Sequence, residues 1–405
     1  MRPQNRSVLM NRGILTVSCL ALAFALTACG EEHPPGPNPD EPKASGCELR
    51  NDRPLAIAVG ARANVPRPEL SKEVTELTER VVTEREQLTM IRIDGTPKII
   101  FDEPPPPRGG SPTGDKKLVD DYLAVARKAF SDKTTAQVPQ ADVLRALSLA
   151  GDATARGGTI VLLDSGLQTV DPVNFTTDGF LLSDPAEVVG HLKNAERNLL
   201  PDLAGRTVVL SGFAKVASPQ PTLDDDLSRR VRAIWRAIAE AAGACVNEEP
   251  LSTTDDSAKN VPPVALVPLP APPPPKPSCE PFVLTERQVS FIPDTAQFRQ
   301  PDAARAAVQP LVEAMRDGRQ RVELVGSTAS SGSVAGRQAL SEQRAAAVKT
   351  MLVELGADSN RITTRGVGSS GPDHVPDVGP RGELLPGPAA LNRKVVVNVS
   401  CPGRG

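Results

Sequence analysis

"GSTASSGSVAGRQALSEQRAAAVKTMLVELG" (residues 326–356) is a polar loop followed by a helix-like run, and the arginine within that run decides how the C-terminal part of the chain is read. The loop (326–333) contains no acid. Set on a wheel of about 100° per residue with Leu340 at zero, Ala347, Met351, Leu355, Val348 and Leu352 form one apolar stripe. Arg344 falls inside it, one turn after Leu340 and one turn before Val348. Burying an unpaired guanidinium is costly. Arg344 therefore either emerges at the exposed end of that face or meets an anion, and its planar fork suits a carboxylate.

The neighbouring segments extend the pattern. "VSFIPDTAQF" (289–298) reads as a strand and turn, and residues 302–317 as a helix that starts or kinks at Pro310. "RVELVGS" (321–327) alternates as a strand, "GADSNRITTRGVG" (356–368) gives a turn and another, and "NRKVVVNV" (392–399) gives the last. The predicted order is β-α-β-α-β-β, an α+β domain over residues 279–405.

Gly326, Thr328, Gly332, Leu340, Ser341, Arg344, Ala345, Val348, Gly356, Arg361, Ile362, Gly366, Gly368, Asn392, Arg393 and Val395 fall on a known pattern. It runs G-x-T-D-x-x-G, N-x-x-L-S-x-x-R-A-x-x-V, G-x-x-x-x-R-I, G-x-G, N-R-R-V. On these residues the domain resembles the OmpA-like C-terminal domain family. The resemblance implies non-covalent binding of peptidoglycan, usually at the diaminopimelate of the stem peptide. The family's aspartate takes the ammonium of that residue and its arginine takes the carboxylate. Thr328, Arg344 and Arg393 are the ligand residues implied here. Two positions depart: the aspartate falls on Ala329 and the asparagine on Arg337. Losing one charge-assisted partner costs roughly 1.5–3 kcal/mol, about 10- to 150-fold in affinity. Arg344 thus has two open readings, a retained wall ligand or a structural arginine that caps carbonyls or pairs with an internal acid.

Residues 1–28 read as an export signal: Arg2, Arg6 and Arg12 precede an apolar run too short to span a bilayer comfortably. "LTACG" (26–30) resembles a bacterial lipobox. It implies that Cys29 becomes the first mature residue and is acylated, as with palmitate, which anchors the chain to a lipid bilayer outside the cytoplasm. Gly30 after that cysteine leans towards an outer membrane, by analogy with lipoproteins, if the envelope has one. Residues 29–46 form a polar, proline-rich stalk. Residues 251–278 read as a proline-rich linker of polyproline II type.

Between them, residues 47–250 alternate strand and helix. Buried strands are expected at 55–59, 159–163 and 207–211, with a hairpin around Asp94-Gly95. A last helix (223–242) is capped by Thr222. The expectation is an α/β domain with a mostly parallel sheet. Its element order resembles von Willebrand factor A-like domains, whose cation loop would be "GARAN" (60–64). That loop carries no acid and no serine, and Asp164 alone cannot hold Mg²⁺ well, so no metal and no cofactor is expected. Cys47 and Cys245 bracket this domain, and Cys279 and Cys401 bracket the next. Sequential disulfides would close each on itself in an oxidising compartment.

Net charge is −3, with one Trp and one Tyr among 405 residues, which argues against a nucleic-acid partner. No nucleophile elbow, HExxH or phosphate loop appears, and none of the three His looks like a base, so no enzyme is expected. The sequence reads as a lipid-anchored envelope protein that grips peptidoglycan. The alternative is a scaffold for envelope proteins whose OmpA-like domain no longer binds the wall.

Overall fold

Short apolar runs at 55–59, 159–163 and 207–211 become strands buried along almost their whole length, because helices cover both faces of the sheet they enter. The computed structural model describes residues 47–249, 256–270, 279–316 and 319–401. The expected signal segment, acylated Cys29 and stalk lie outside the described residues. The first domain runs β1 (Leu55–Val59), α1 (Lys72–Thr83), β2 (Leu88–Arg92), β3 (Lys98–Phe101), α2 (Pro112–Lys133), α3 (Val143–Ala153) and β4 (Thr159–Leu163). It continues through α4 (Pro185–Lys193), β5 (Thr207–Ser211), α5 (Asp225–Ala241) and β6 (Cys245–Glu249). The sheet order is β3-β2-β1-β4-β5-β6, parallel except for β3.

Side chains alternate across each strand. Ala56, Ala58, Ile160, Leu162, Val208 and Leu210 pack with α3, α4 and α5 on one face. Leu55, Ile57, Val59, Val161, Leu163 and Val209 pack with α1 and α2 on the other. Trp235 of α5 is core, fully buried, and donates to the Gly166 carbonyl at 2.7 Å. The cap of α5 is Asp224, not Thr222: its carboxylate accepts the Leu227 N–H at 3.0 Å. Asp224 sits three residues before that amide, the spacing an N-cap needs.

The second domain runs β7 (Phe282–Leu284), α6 (Pro301–Met315), β8 (Arg321–Gly326), α7 (Val334–Glu354), β9 (Ile362–Gly366), α8 (Pro386–Asn392) and β10 (Val395–Ser400). Its sheet order is β7-β10-β8-β9, with β8 and β9 parallel and the other pairs antiparallel. Three expectations change. The first strand is 282–284, while Phe291 and Phe298 meet only at an isolated bridge and stack at 4.9 Å. Helix α6 begins at Pro301 and runs through Pro310 without a break. An extra helix, α8, rises from the Gly- and Pro-rich segment before β10. Disulfides join Cys47 to Cys245 and Cys279 to Cys401, the sequential pairing expected.

The described part of the proline-rich segment, residues 256–270, is not a free spacer. Val267 is buried in the first domain's core. Its N–H donates to Gln220 Oε1 at 2.8 Å, and Gln220 Nε2 donates back to its carbonyl at 3.1 Å. No helix among the described residues is long and apolar enough to cross a membrane.

Candidate functional site

Helix α7 lies on β8 and β9 with Ser341, Arg344, Ala345, Val348, Met351 and Leu352 buried. The stripe is thus centred on Ser341, Ala345, Val348 and Leu352, with Arg344 at its flank, and Arg344 is only 4% exposed. Its Nε donates to the Thr295 carbonyl at 3.0 Å, and its guanidinium lies 5.0 Å from the centre of the Phe291 ring. That distance fits a cation–π contact. Thr295 and Phe291 both lie in the turn that the sequence placed before α6. They fix the plane of the fork by one edge and one face. Among the described residues the two terminal nitrogens of Arg344 donate no hydrogen bond.

One carboxylate inside the chain acts on Arg344 by its charge, without an ion pair to it. Glu286, just after β7, is buried beside Arg344, Arg393 and Arg230, and Ser290 Oγ donates to it at 3.1 Å. Burial pushes its carboxyl above the ordinary value, and the three guanidiniums oppose that rise. Burial also pushes the Arg344 pKa down, with Glu286 resisting and the like charge of Arg393 adding to the fall. Arg393 behaves oppositely. Its burial is outweighed by Glu187, which lifts its pKa above the ordinary arginine value.

Glu187 belongs to the first domain, on the first turn of α4, and forms an ion pair with Arg393 Nη2. Beside it Asp184, the N-cap of α4, accepts Arg299 Nη2 at 2.7 Å. Arg230 of α5 donates to the Glu286 carbonyl at 2.8 Å, and Arg287 pairs with Asp224. Helix α8 completes the contact. Ala390 is buried in the first domain's core, and the backbone at Gly179 and Gly387 comes so close that a Cβ at either would meet the other's chain. The described residues of both domains accordingly fall in one compact unit.

The other expected ligand residues are placed as follows. Thr328 and Ala329 are both buried, and the Thr328 hydroxyl has no hydrogen-bond partner among the described residues. Arg337 turns back on the loop, where Nη1 donates to the Ser330 carbonyl at 3.4 Å and to that of Gly332. It holds the loop. An acid does reach this loop, from the segment before α8. Asp377, 1% exposed, accepts the Ser330 N–H at 2.9 Å. Burial raises its pKa, but contacts from Ser330 and Asn392 outweigh that and hold its carboxyl below the ordinary range.

His374 Nε2 lies 3.2 Å from Ser330 Oγ and 3.5 Å from Asp377 Oδ1. Both contacts use the same ring nitrogen, so the acid does not orient the imidazole through Nδ1 as a hydrolytic triad requires.

In the first domain, the loop after β1 brings Arg62 onto Asp164 at the carboxyl ends of the strands. The pair is bidentate and fully buried, with Nη2 to Oδ1 at 2.8 Å. Arg62 stands as an internal cation beside the single carboxylate that the sequence singled out there. Among the described residues no group of three His, Cys, Asp or Glu is placed to hold a metal ion.

Glu286, Phe291, Glu187, Asp377 and Arg62 carry this architecture, and none was singled out from sequence. Glu286 sits in a polar run that reads as surface. Glu187 and Asp377 matter only through contacts made across the fold. Phe291 had a signal: an aromatic ring in a turn of a chain with only 9 Phe.

Residues 290–377 match the model of the OmpA family, so the C-terminal domain is an OmpA-family domain. Similar solved structures include the periplasmic domain of Helicobacter pylori MotB, 16% identical, covering 30% of this chain and 83% of that one with a TM-score of 0.25. The peptidoglycan-associated lipoprotein from Burkholderia pseudomallei is 22% identical, covering 28% of this chain and 90% of its own, with a TM-score of 0.24. The photosystem I P700 chlorophyll a apoprotein A2 of Gloeobacter violaceus shares 38% identity over 80 residues. The chain spans 9% of the length of that curated relative, too small a share to carry a function across.

Proposed function

We propose that the OmpA-like domain binds peptidoglycan non-covalently, with Arg344 and Arg393 as the carboxylate-binding pair, and that acylated Cys29 tethers the chain to a membrane of the cell envelope. The observation that carries the reading is the state of Arg344. Its guanidinium is buried and aimed by Thr295 and Phe291, yet its two terminal nitrogens donate to no described residue. Neither nitrogen is among the buried polar atoms left without a partner, so both reach the surface, where a ligand carboxylate would engage them bidentately. Membrane tethering would make wall capture intramolecular, so a site weakened by the loss at Ala329 would still work through effective concentration.

The test is sedimentation of the mature chain with insoluble diaminopimelate-type sacculi, beside Arg344→Ala and Arg344→Lys. Binding that falls about ten-fold or more in both variants supports the reading, since lysine lacks the planar fork. Equal sedimentation of all three overturns it.

A second reading, a scaffold for envelope proteins, is favoured by one observation. Ala329, where the family's aspartate would fall, is buried, and the carboxylate that reaches this loop, Asp377, is buried with it. The absence of sedimentation in every form would select this reading.

A further inference from the structure

The carboxylate of Glu187 stands in front of the arginine pair from another domain. It bonds Arg393 directly, and its charge also acts on Arg344. Its contact is incomplete: Oε2 is buried and has no hydrogen-bond partner among the described residues. One oxygen of a carboxylate is used, and one guanidinium of two. Helix α4 is held in place beside the site by Asp184 with Arg299 and by α8 against the 3-10 turn Phe180–Leu182 that precedes it, while α5 is tied to the second domain by Arg230 on the Glu286 carbonyl.

We propose that Glu187 is an internal occupant of the ligand's carboxylate position, so that the first domain holds the OmpA-like domain closed and peptidoglycan competes with it for Arg393 and Arg344. This inference rests on the wall-binding reading above and names the regulation of that same site.

The chemistry of the competition follows from the contacts. An incoming carboxylate that spans both guanidiniums engages the terminal nitrogens of Arg344, which Glu187 does not bond. Binding then releases Glu187, whose side chain is 27% exposed and can turn to water. The apparent affinity of the closed chain is reduced by the fraction of molecules in which the arginine pair is free. Anything that draws α4 away from the second domain raises that fraction. The first domain thereby becomes a sensor arm: a partner that binds α4 or the 3-10 turn before it would switch wall binding on.

The experiment uses the full mature chain and diaminopimelate-type sacculi as the probe. Wild type, Glu187→Gln and the double variant Glu187→Gln/Arg344→Ala are sedimented across a range of sacculus concentrations. Hydrogen exchange of residues 185–193 is followed with and without sacculi. Glu187→Gln removes the charge and keeps the shape. It should bind about ten-fold more tightly than wild type, the value of one charge-assisted contact. The double variant should lose that gain. In wild type, exchange in 185–193 should rise when sacculi are added, a change that a merely structural ion pair would not show. If Glu187→Gln and wild type bind equally and exchange does not change, the competition is overturned while wall binding stands. If no form sediments, the wall-binding reading falls, and this inference falls with it.

Discussion

Glu187 and Arg393 lie 206 residues apart in sequence and in different domains, and their side chains form one ion pair at the face where the wall ligand is proposed to sit. Arg393 is also within the field of buried Glu286, so it neutralises two acids from two elements. Its removal would leave Glu286 with Arg344 and Arg230 alone.

The pair's contribution to folding is measurable by a double-mutant cycle. Arg393→Gln and Glu187→Gln, each assayed by urea unfolding, are expected to be non-additive by about 0.5–3 kcal/mol. Arg393→Gln should be the more damaging single change, because it also strips a counter-charge from Glu286. Equal losses that simply add would mean that the two side chains touch without coupling.

The buried pair of Arg62 and Asp164 gives the second prediction. Breaking it from one side strands a charge among the strand ends, so Asp164→Asn is expected to cost about 3–5 kcal/mol in urea or thermal unfolding. Replacing both residues with apolar ones of similar size, Arg62→Met with Asp164→Leu, should recover most of that loss. Because Arg62 already supplies the positive charge, millimolar Mg²⁺ is expected to leave the melting temperature of the wild type unchanged. A cation bound only by the folded state would raise it.

The fold was legible where burial is written locally. The strands at 55–59, 159–163 and 207–211 are short runs of apolar residues between turn signals, and α5 carries a clear stripe. Strand β6, "CVNEE", was not legible: it lies at the sheet edge, where polar residues are tolerated. Helix α2 was missed because its apolar positions, Val119, Leu123, Ala126 and Ala129, are diluted by solvated Lys–Asp pairs. At the site, Arg344 announced itself as a charge on an apolar face. Its surroundings did not, because Thr295 acts through a backbone carbonyl and Glu187 arrives from a distant helix. Interdomain contact leaves no periodic trace in either segment.

Asp377 gives a prediction in pH. Its folded-state pKa is held below 3.8 by Ser330 and Asn392, against the pull of burial. A carboxyl depressed in the folded state adds stability above its unfolded pKa, and that contribution is lost as pH falls through the folded value. Asp377→Asn should therefore melt below wild type at pH 7, and the two curves should converge as pH drops below about 3.8. A gap that persists unchanged at pH 2 would show that packing, rather than the ionised carboxylate, holds the 326–333 loop.

Two glycines set how closely α7 approaches the sheet, and through it where Arg344 stands. A Cβ on Gly326 of β8 would overlap the Ser341 carbonyl oxygen and lie 3.0 Å from its carbon. A Cβ on Gly366 of β9 would overlap Ser341 Oγ and lie 2.5 Å from the Glu342 nitrogen. Ser341 itself is fully buried, and its hydroxyl accepts the Gly368 N–H at 2.9 Å and donates to the Gln338 carbonyl at 2.7 Å. Backbone cannot retreat as a flexible side chain does, so Gly326→Ala or Gly366→Ala must push the helix outward. Each is expected to cost about 1–3 kcal/mol or more by thermal or urea unfolding. Arg344 lies one turn beyond Ser341, so the same shift should misplace its fork and weaken sedimentation with sacculi. Gly190, inside α4, is the control: nothing lies within 4 Å of its would-be Cβ. There the same substitution gains helix propensity and should stabilise by about 0.5–1 kcal/mol. Opposite signs for one chemical change would establish that the space above the sheet, not glycine's backbone freedom, is what positions the arginine.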